Sequence, residues 1–272
     1  MRFNFTQPKV IILCGGEGKR MGKITKKIPK PLVKIGKFSI IEHKLNYYRR
    51  QGLKDFVFCI GHKGNILKKF LKKKCKNPIF FDGGIKSGIL KRIYLARKTI
   101  DESTIISYGD TLAKINFKEL LINHKKSKAV LSLVAAPIQN PFGLIKWNSK
   151  EQAVQFEEKP ILNHFIGYAV IEPKIFKYLT SKIINLKDGE GIVQAVKYLI
   201  PKRLVNVYKF NGLQLTINSV AVNEVRTVLR DENHGRFLCN HRHSASINPT
   251  ASTPRTWPGS QRNSGTMTCP TS

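Results

Sequence analysis

The sequence predicts an α/β fold, with a mainly parallel sheet and helices on both of its faces. Three observations carry that prediction. Apolar, β-branched runs of strand length recur along the chain, and amphipathic segments of helical length separate them. The first run, KVIIL at 9–13, is apolar without alternation, as a strand covered on both faces must be. A long loop rich in glycine and lysine, LCGGEGKRMGKITKKIPKPL at 13–32, follows it directly. In open α/β sheets ligands sit beyond the C-terminal ends of the strands, which is where this loop falls.

The other elements follow in order. Ser39 with Glu42 is a capping box for a helix running to about Gln51, with Gly52 as its C-cap. DFVFCI (55–60) reads as the second strand, GNILKKFLKK as a helix and PIFF (78–81) as the third strand. GILKRIYLARK is amphipathic and helical, and TIISYGD (104–110) is a strand ending in an acidic loop. FKELLINHKK is a helix and AVLSLVAA (129–136) a strand. Beyond Pro137 the texture shifts to shorter β segments, FGLIKW, AVQFEEKP and HFIGYAVI. A helix near 190–199 and strands near 204–209 and 213–217 complete the body. Such alternation implies right-handed crossovers between parallel strands.

Bulk properties narrow the function. A length of 272 residues with 41% hydrophobic content supports a sizeable core. No apolar stretch approaches the length of about 18 residues needed to span a membrane, and the N-terminus lacks a signal peptide's layout. The five cysteines are scattered, odd in number and without C-x-x-C spacing, so they read as reduced thiols of a cytoplasmic protein. The net charge of +31 fits a nucleic-acid surface, an anionic membrane surface or anionic small substrates. Lysines are spread over the whole body instead of forming one stripe, which argues against nucleic acid as the partner.

Composition changes sharply near Arg230. Residues 230–272 contain no lysine and are dominated by Ser, Thr, Pro, Asn and Arg, a mixture expected to stay disordered. The expected organisation is therefore a folded domain over 1–229 and a disordered tail over 230–272. The abrupt break suggests a frameshift or fusion, and the tail's His234, His241 and His243 read as solvated.

The loop at 13–32 is neither of two familiar phosphate loops. It lacks the G-x-x-x-x-G-K-[ST] of a P-loop, and Gly16, Gly18 and Gly22 miss the G-x-G-x-x-G spacing by one. The stretch from Lys26 to Pro31 does not read as helical. What remains is a loop whose glycines let backbone N–H groups turn inward as an anion nest. Arg20 can fork onto phosphate oxygens, and Lys30 is a cation on a backbone stiffened by Pro29 and Pro31.

Leu13, Gly15, Gly16, Gly18, Arg20 and Met21, followed by Pro29, Lys30, Pro31 and Leu32, resemble the signature of the sugar-1-phosphate nucleotidyltransferases. The likeness continues through YGDTLAKINFKELLINHKKSKAVLSLV, PFGLIKW, VQFEEKP and FIGYAVI, and so covers residues 9 to about 225. SGILKRI (87–93), with YGD and FG, is most similar to the glucose-1-phosphate cytidylyltransferase branch. The resemblance implies a Rossmann-like three-layer nucleotidyltransferase fold with a small β-rich sugar-binding part. It implies a reaction in which a sugar 1-phosphate attacks the α-phosphorus of a nucleoside triphosphate and pyrophosphate leaves.

By that resemblance Leu13, Gly15, Gly16, Gly18 and Gly88 bind the nucleotide, with Arg20 and Lys30 on its phosphates. Asp110 would hold Mg²⁺. Gly143, Glu158 and Lys159 would bind the sugar phosphate. The chain departs from the family's pattern at two places. A second metal-binding Asp is expected late in the chain, where GLQLTINS offers Asn218, and the branch's T-G-G-R is replaced by Lys86, Ser87, Gly88 and Ile89. Cytosine recognition is thereby open, as is the strength of metal binding.

The expected partners are a nucleoside triphosphate and a sugar 1-phosphate, without nucleic acid or membrane and with room for a homo-oligomer. CTP and glucose 1-phosphate lead. A guanylyltransferase or uridylyltransferase acting on mannose or heptose 1-phosphate is the same-class alternative, and a non-catalytic nucleotide-sugar-binding regulator is the other.

Overall fold

The computed structural model describes residues 8–21, 23–212 and 214–216. In chain order the first half comprises β1 (Val10–Leu13), α1 (Lys23–Lys27), β2 (Lys34–Ile35), β3 (Phe38–Ser39), α2 (Ile40–Arg50), β4 (Phe56–Ile60), α3 (Gly64–Lys74), β5 (Ile79–Asp82), α4 (Ile89–Leu95), β6 (Thr104–Tyr108), β7 (Thr111–Ala113) and α5 (Phe117–Ser127). The second half adds β8 (Leu131–Gln139), β9 (Leu144–Trp147), β10 (Ala153–Glu157), β11 (Ile161–Ile171), α6 (Ser181–Ile184), α7 (Glu190–Leu199), β12 (Val205–Lys209) and β13 (Gln214–Thr216).

Seven strands form one sheet in the order β12-β8-β11-β6-β1-β4-β5. β1 lies parallel to β4 and β6, β4 to β5, and β12 to β8. β11 runs antiparallel to both its neighbours, β6 and β8. The expected α/β fold with a mostly parallel sheet is thus observed.

Strand side chains alternate between two cores, which is why the apolar runs show no polar face. Val10, Ile12, Phe58 and Ile105 pack with α2, α3 and α5 through Ile41, Tyr48, Leu67 and Phe117. Ile11, Val57, Cys59 and Ile106 pack on the other face with α4, α6 and α7 through Ile93, Ile184, Ala195 and Leu199. A helix layer therefore covers each side of the sheet.

The capping box closes as the sequence predicts. The Ser39 hydroxyl accepts from the Glu42 N–H, and the Glu42 carboxylate accepts from the Ser39 N–H at 2.9 Å. The C-cap is Gln51, and Gly52, at φ +82°, lies one residue beyond the position expected for it. Ser39→Ala is expected to cost about 1 kcal/mol in denaturant unfolding, because the Glu42 N–H of the first turn loses its acceptor.

One expectation is corrected. Residues expected to be non-helical between Lys26 and Pro31 fall partly in α1 and in a 3₁₀ turn, Lys30–Leu32. Tertiary packing overrides the poor local signal. Met21, Val33, Ile35 and Ile40 form a small third core, with Ile28 packed against it, and the Thr25 hydroxyl donates to the Gly18 carbonyl. Asn218 and the tail over 230–272 lie outside the described residues.

β8 and β11 are longer than their sheet neighbours. Ala135–Gln139 and Ile161–Phe165 stay paired past the C-terminal end of β6, forming an arm tipped by the β9–β10 hairpin. The arm bends at a register shift between Phe165 and Ala169. Gly167 sits there at φ +79°, where a Cβ would lie 3.0 Å from the Tyr108 ring. Among the described residues, no helix is long and apolar enough to cross a membrane.

Candidate functional site

The C-terminal ends of β1, β4, β5 and β6 meet in one region. The Gly109 N–H donates to the Leu13 carbonyl at 3.0 Å, tying the turn after β6 to the end of β1. The His62 N–H donates to the Gly15 carbonyl at 3.1 Å, tying the start of the glycine loop to the loop after β4. Gly83 N–H reaches the Ile60 carbonyl at 3.3 Å, so the loop after β5 joins the same assembly.

Two predicted residues that are 80 positions apart in the chain meet here. Lys30 Nζ donates to Asp110 Oδ2 at 2.6 Å, with the lysine side chain only 10% exposed and the aspartate 28%. Lys30 can be so well buried because the turn between Pro29 and Leu32 aims it inward and an anionic partner waits at the end of β6. Gly18 borders the pair: at φ +66°, its missing Cβ would stand 3.3 Å from Lys30 Cβ. Leu13, Gly15, Gly18, Lys30 and Asp110 are thus brought together. Gly16 is exposed with open space around it, and the backbone of Arg20 lies in the 3₁₀ turn Lys19–Met21.

Beside this cluster is an open cleft of about 380 Å³, lined by residues 83–88 with Lys91 and Asn185. Gly88 caps α4 at its wall, packed so closely that a Cβ would meet the Leu186 carbonyl oxygen at 2.1 Å. Gly143, Glu158 and Lys159 form a second group on the arm. Gly143 faces Phe156 and Glu158, and Lys159, at φ +47°, is 3.7 Å from Glu158 across two exposed side chains. The two groups are connected through the arm's root, where Phe165 packs edge-on against Tyr108 at 5.7 Å.

Two buried cations were missed in the sequence. Lys44, on α2, is 1% exposed; its ammonium donates to the Thr111 carbonyl at 2.5 Å and the Tyr168 hydroxyl at 2.8 Å, and lies over the Tyr168 ring. Burial lowers its pKa to about 7, opposed by the negative charge of Asp110. The other is Arg92, on α4, 5% exposed. Both stand on apolar helix stripes, Lys44 between Ile41 and Tyr48 and Arg92 between Leu90 and Ile93. A charge at a core-facing position of an amphipathic helix was the available signal.

Two other buried arrangements are not reactive. Burial pushes the Cys14 thiol well above its ordinary range, so it holds its proton. His124 is held between Ser132 (2.7 Å) and Glu172 (3.0 Å), but Ser132 is wholly buried. Despite its resemblance to a hydrolytic triad, that network has no substrate access and serves packing.

Comparison with known proteins agrees with this geometry. A family model described as "Nucleotidyl transferase" matches residues 9–211. A Bacillus subtilis protein named "Probable glucose-1-phosphate cytidylyltransferase" is 29% identical over 239 residues, covering 78% of this chain and 91% of that protein. A Campylobacter jejuni D-glycero-alpha-D-manno-heptose 1-phosphate guanylyltransferase is 27% identical over 161 residues, 56% of this chain and 68% of that one. The solved structure of HddC from Yersinia pseudotuberculosis superposes with a TM-score of 0.61 at 19% identity, covering 82% of this chain and 99% of that chain.

Proposed function

Because the chain belongs to the nucleotidyl transferase family, the sugar-1-phosphate nucleotidyltransferases, we propose that it joins a hexose 1-phosphate to a nucleoside triphosphate, with CTP and glucose 1-phosphate as the leading pair. The product would be an NDP-sugar destined for surface polysaccharide or deoxysugar synthesis, and pyrophosphate would be released. The observation that carries this reading is the Lys30–Asp110 pair at the mouth of the glycine loop.

In this reading the nucleotide's base and ribose occupy the cleft beside Gly88, and the N–H groups of Gly15, Gly16 and Gly18 face its phosphates. Arg20 and Lys30 neutralise the phosphate oxygens as charge gathers on the α-phosphorus. The sugar phosphate is held by Lys159, its hydroxyls by Glu158, and Gly143 lets the backbone come close. A phosphate oxygen of the sugar then attacks the α-phosphorus in line. The P–O bond to the β-phosphate breaks and pyrophosphate departs with the electron pair. Little covalent chemistry falls to the protein, so positioning and charge neutralisation supply the rate.

The donor set fits Mg²⁺ modestly. Among the described residues no cluster of three or more His, Cys, Asp or Glu exists. This ion takes one or two carboxylates and fills its remaining positions with phosphate oxygens and water. Asp110 would hold it, and Lys30 would have to yield its place on the carboxylate; Asn218, the other expected ligand, lies outside the described residues. Bound there, the ion would supply positive charge against the phosphates.

The relatives' names span cytidylyl and guanylyl transfer, so GTP, UTP and mannose or heptose 1-phosphate are the alternatives to test. The deciding experiment is pyrophosphate release from the full chain with Mg²⁺, across four nucleoside triphosphates and a panel of sugar 1-phosphates. Release requiring both CTP and glucose 1-phosphate is the expected result. A folded protein that binds nucleotide sugar but is silent across the panel would favour the regulatory reading, which the uncharged Asn218 motivates.

A further inference from the structure

Arg92 is a buried guanidinium whose hydrogen bonds, among the described residues, run to backbone carbonyls. Its Nη1 donates to the Ile60 carbonyl at 2.7 Å, at the end of β4. Its Nη2 donates to the Gly84 carbonyl at 2.8 Å and reaches the Ile85 carbonyl at 3.4 Å, both in the loop after β5. It also fills the side-chain space of two glycines. A Cβ on Gly15 would stand 1.9 Å from Nη1, and one on Gly61 would stand 2.4 Å from it. Arg92 therefore touches the loops that follow β1, β4 and β5, three adjacent strands of the sheet.

A guanidinium cannot shed its charge, and burying it against neutral carbonyls is costly. Apolar residues of similar length would satisfy the helix face at lower cost. What they would not do is bind three loops at once. A planar fork with several donors is suited to that task, because each carbonyl is met at a fixed angle. Two of its acceptors, Gly84 and Ile85, belong to the wall of the 380 Å³ cleft. None of its hydrogen bonds runs to the arm that carries Gly143, Glu158 and Lys159.

We infer that Arg92 is a positioning residue for the nucleoside end of the site, fixing the spacing of the three strand-end loops and with it the cleft's affinity for nucleotide. This rests on the reading of the cleft as the nucleotide site. It also accounts for Gly15 and Gly61, whose side-chain space the guanidinium occupies.

The test uses the full chain, with Arg92→Met and Arg92→Lys beside the wild type. Direct calorimetric binding of CTP, GTP, UTP and ATP is measured with thermal melts, and then KM for both substrates. Arg92→Met should melt cooperatively and bind its preferred nucleotide about tenfold or more weakly, because loops no longer held by the guanidinium must be ordered at the expense of binding. KM for the sugar 1-phosphate should stay within about twofold, since no bond of Arg92 reaches the arm. Arg92→Lys, which keeps one charged donor, should fall between and guards against a misfolded methionine variant. A folded variant with unchanged nucleotide affinity, or one that loses both substrates equally, overturns the inference. Wild-type protein that binds none of the four nucleotides overturns the reading of the cleft and the inference with it. Because calorimetric binding needs no turnover, a catalytically silent protein still decides the effect on nucleotide affinity.

Discussion

Lys30→Ala should lower kcat by about 10²–10³-fold, or roughly 3–4 kcal/mol of transition-state stabilisation. The lysine is nearly enclosed, so its charge is poorly screened where phosphate charge builds up. KM for nucleotide should rise less than kcat falls, since the loop's backbone amides still grip the ground state. Asp110→Asn keeps the shape of the turn and removes the charge. It should cost a similar factor in kcat and raise the Mg²⁺ concentration needed for half-maximal rate. Steady-state pyrophosphate release as a function of Mg²⁺ checks both variants, and full turnover in either would remove that residue from the proposed chemistry.

The second large effect is on stability. Lys44 has a folded-state pKa near 7, against about 10.4 in an unfolded chain. Between those values the unfolded state holds the proton and the folded state has released it, so the Lys44 contribution to stability increases with pH. The span amounts to at most about 4–5 kcal/mol. Buried thiols at Cys14 and Cys59 act in the opposite direction above their ordinary range, because they stay protonated only when folded. The clean readout is therefore a difference. Lys44→Met should be most favourable relative to wild type at pH 7 and below, and its advantage should shrink steadily toward pH 10. Parallel denaturation curves at each pH measure it. A wild-type-minus-variant difference flat across that range would contradict the buried charge.

The fold was legible because the sheet is covered on both faces. Strands such as VIIL and FVFCI must then be apolar throughout, and helices such as α2 must show one apolar stripe. Proline and glycine fixed the loop ends, which made Lys30 stand out. The meeting of Lys30 with Asp110 was not visible in local pattern, since it depends on β6 lying beside β1. Resemblance to a family gave each residue a role at the same site but not the ion pair between them. Lys44 and Arg92 escaped for the opposite reason. Lys44 obeys no motif and Arg92 carries no assigned role within SGILKRI, and a basic residue in a chain with 48 lysines and arginines attracts no notice until its surroundings are known. The helical turns within the glycine loop were hidden because packing on Met21 and Ile40, and not local propensity, holds them.

The antiparallel strand β11 has a consequence for how the chain is assembled. It is the junction between β6-β1-β4-β5, drawn from residues 10–108, and β12-β8, drawn from residues 131–209. β8 is synthesised before β11 yet cannot reach the sheet without it. The early half can organise its four strands as it emerges, while the later half must first pair β8 with β11 as a local hairpin. The two halves then close along a single seam, Thr104–Ser107 against Tyr168–Ile171. The seam pairs Ser107 with Tyr168, a shorter closure than the Val10–Ile105 pairing inside the early half, so it adds a moderate loop-entropy cost to a sheet whose longer closure is already made. It also borders the C-terminal end of β6, which means that the turn carrying Asp110 is flanked by strands on both sides only once the two halves have joined.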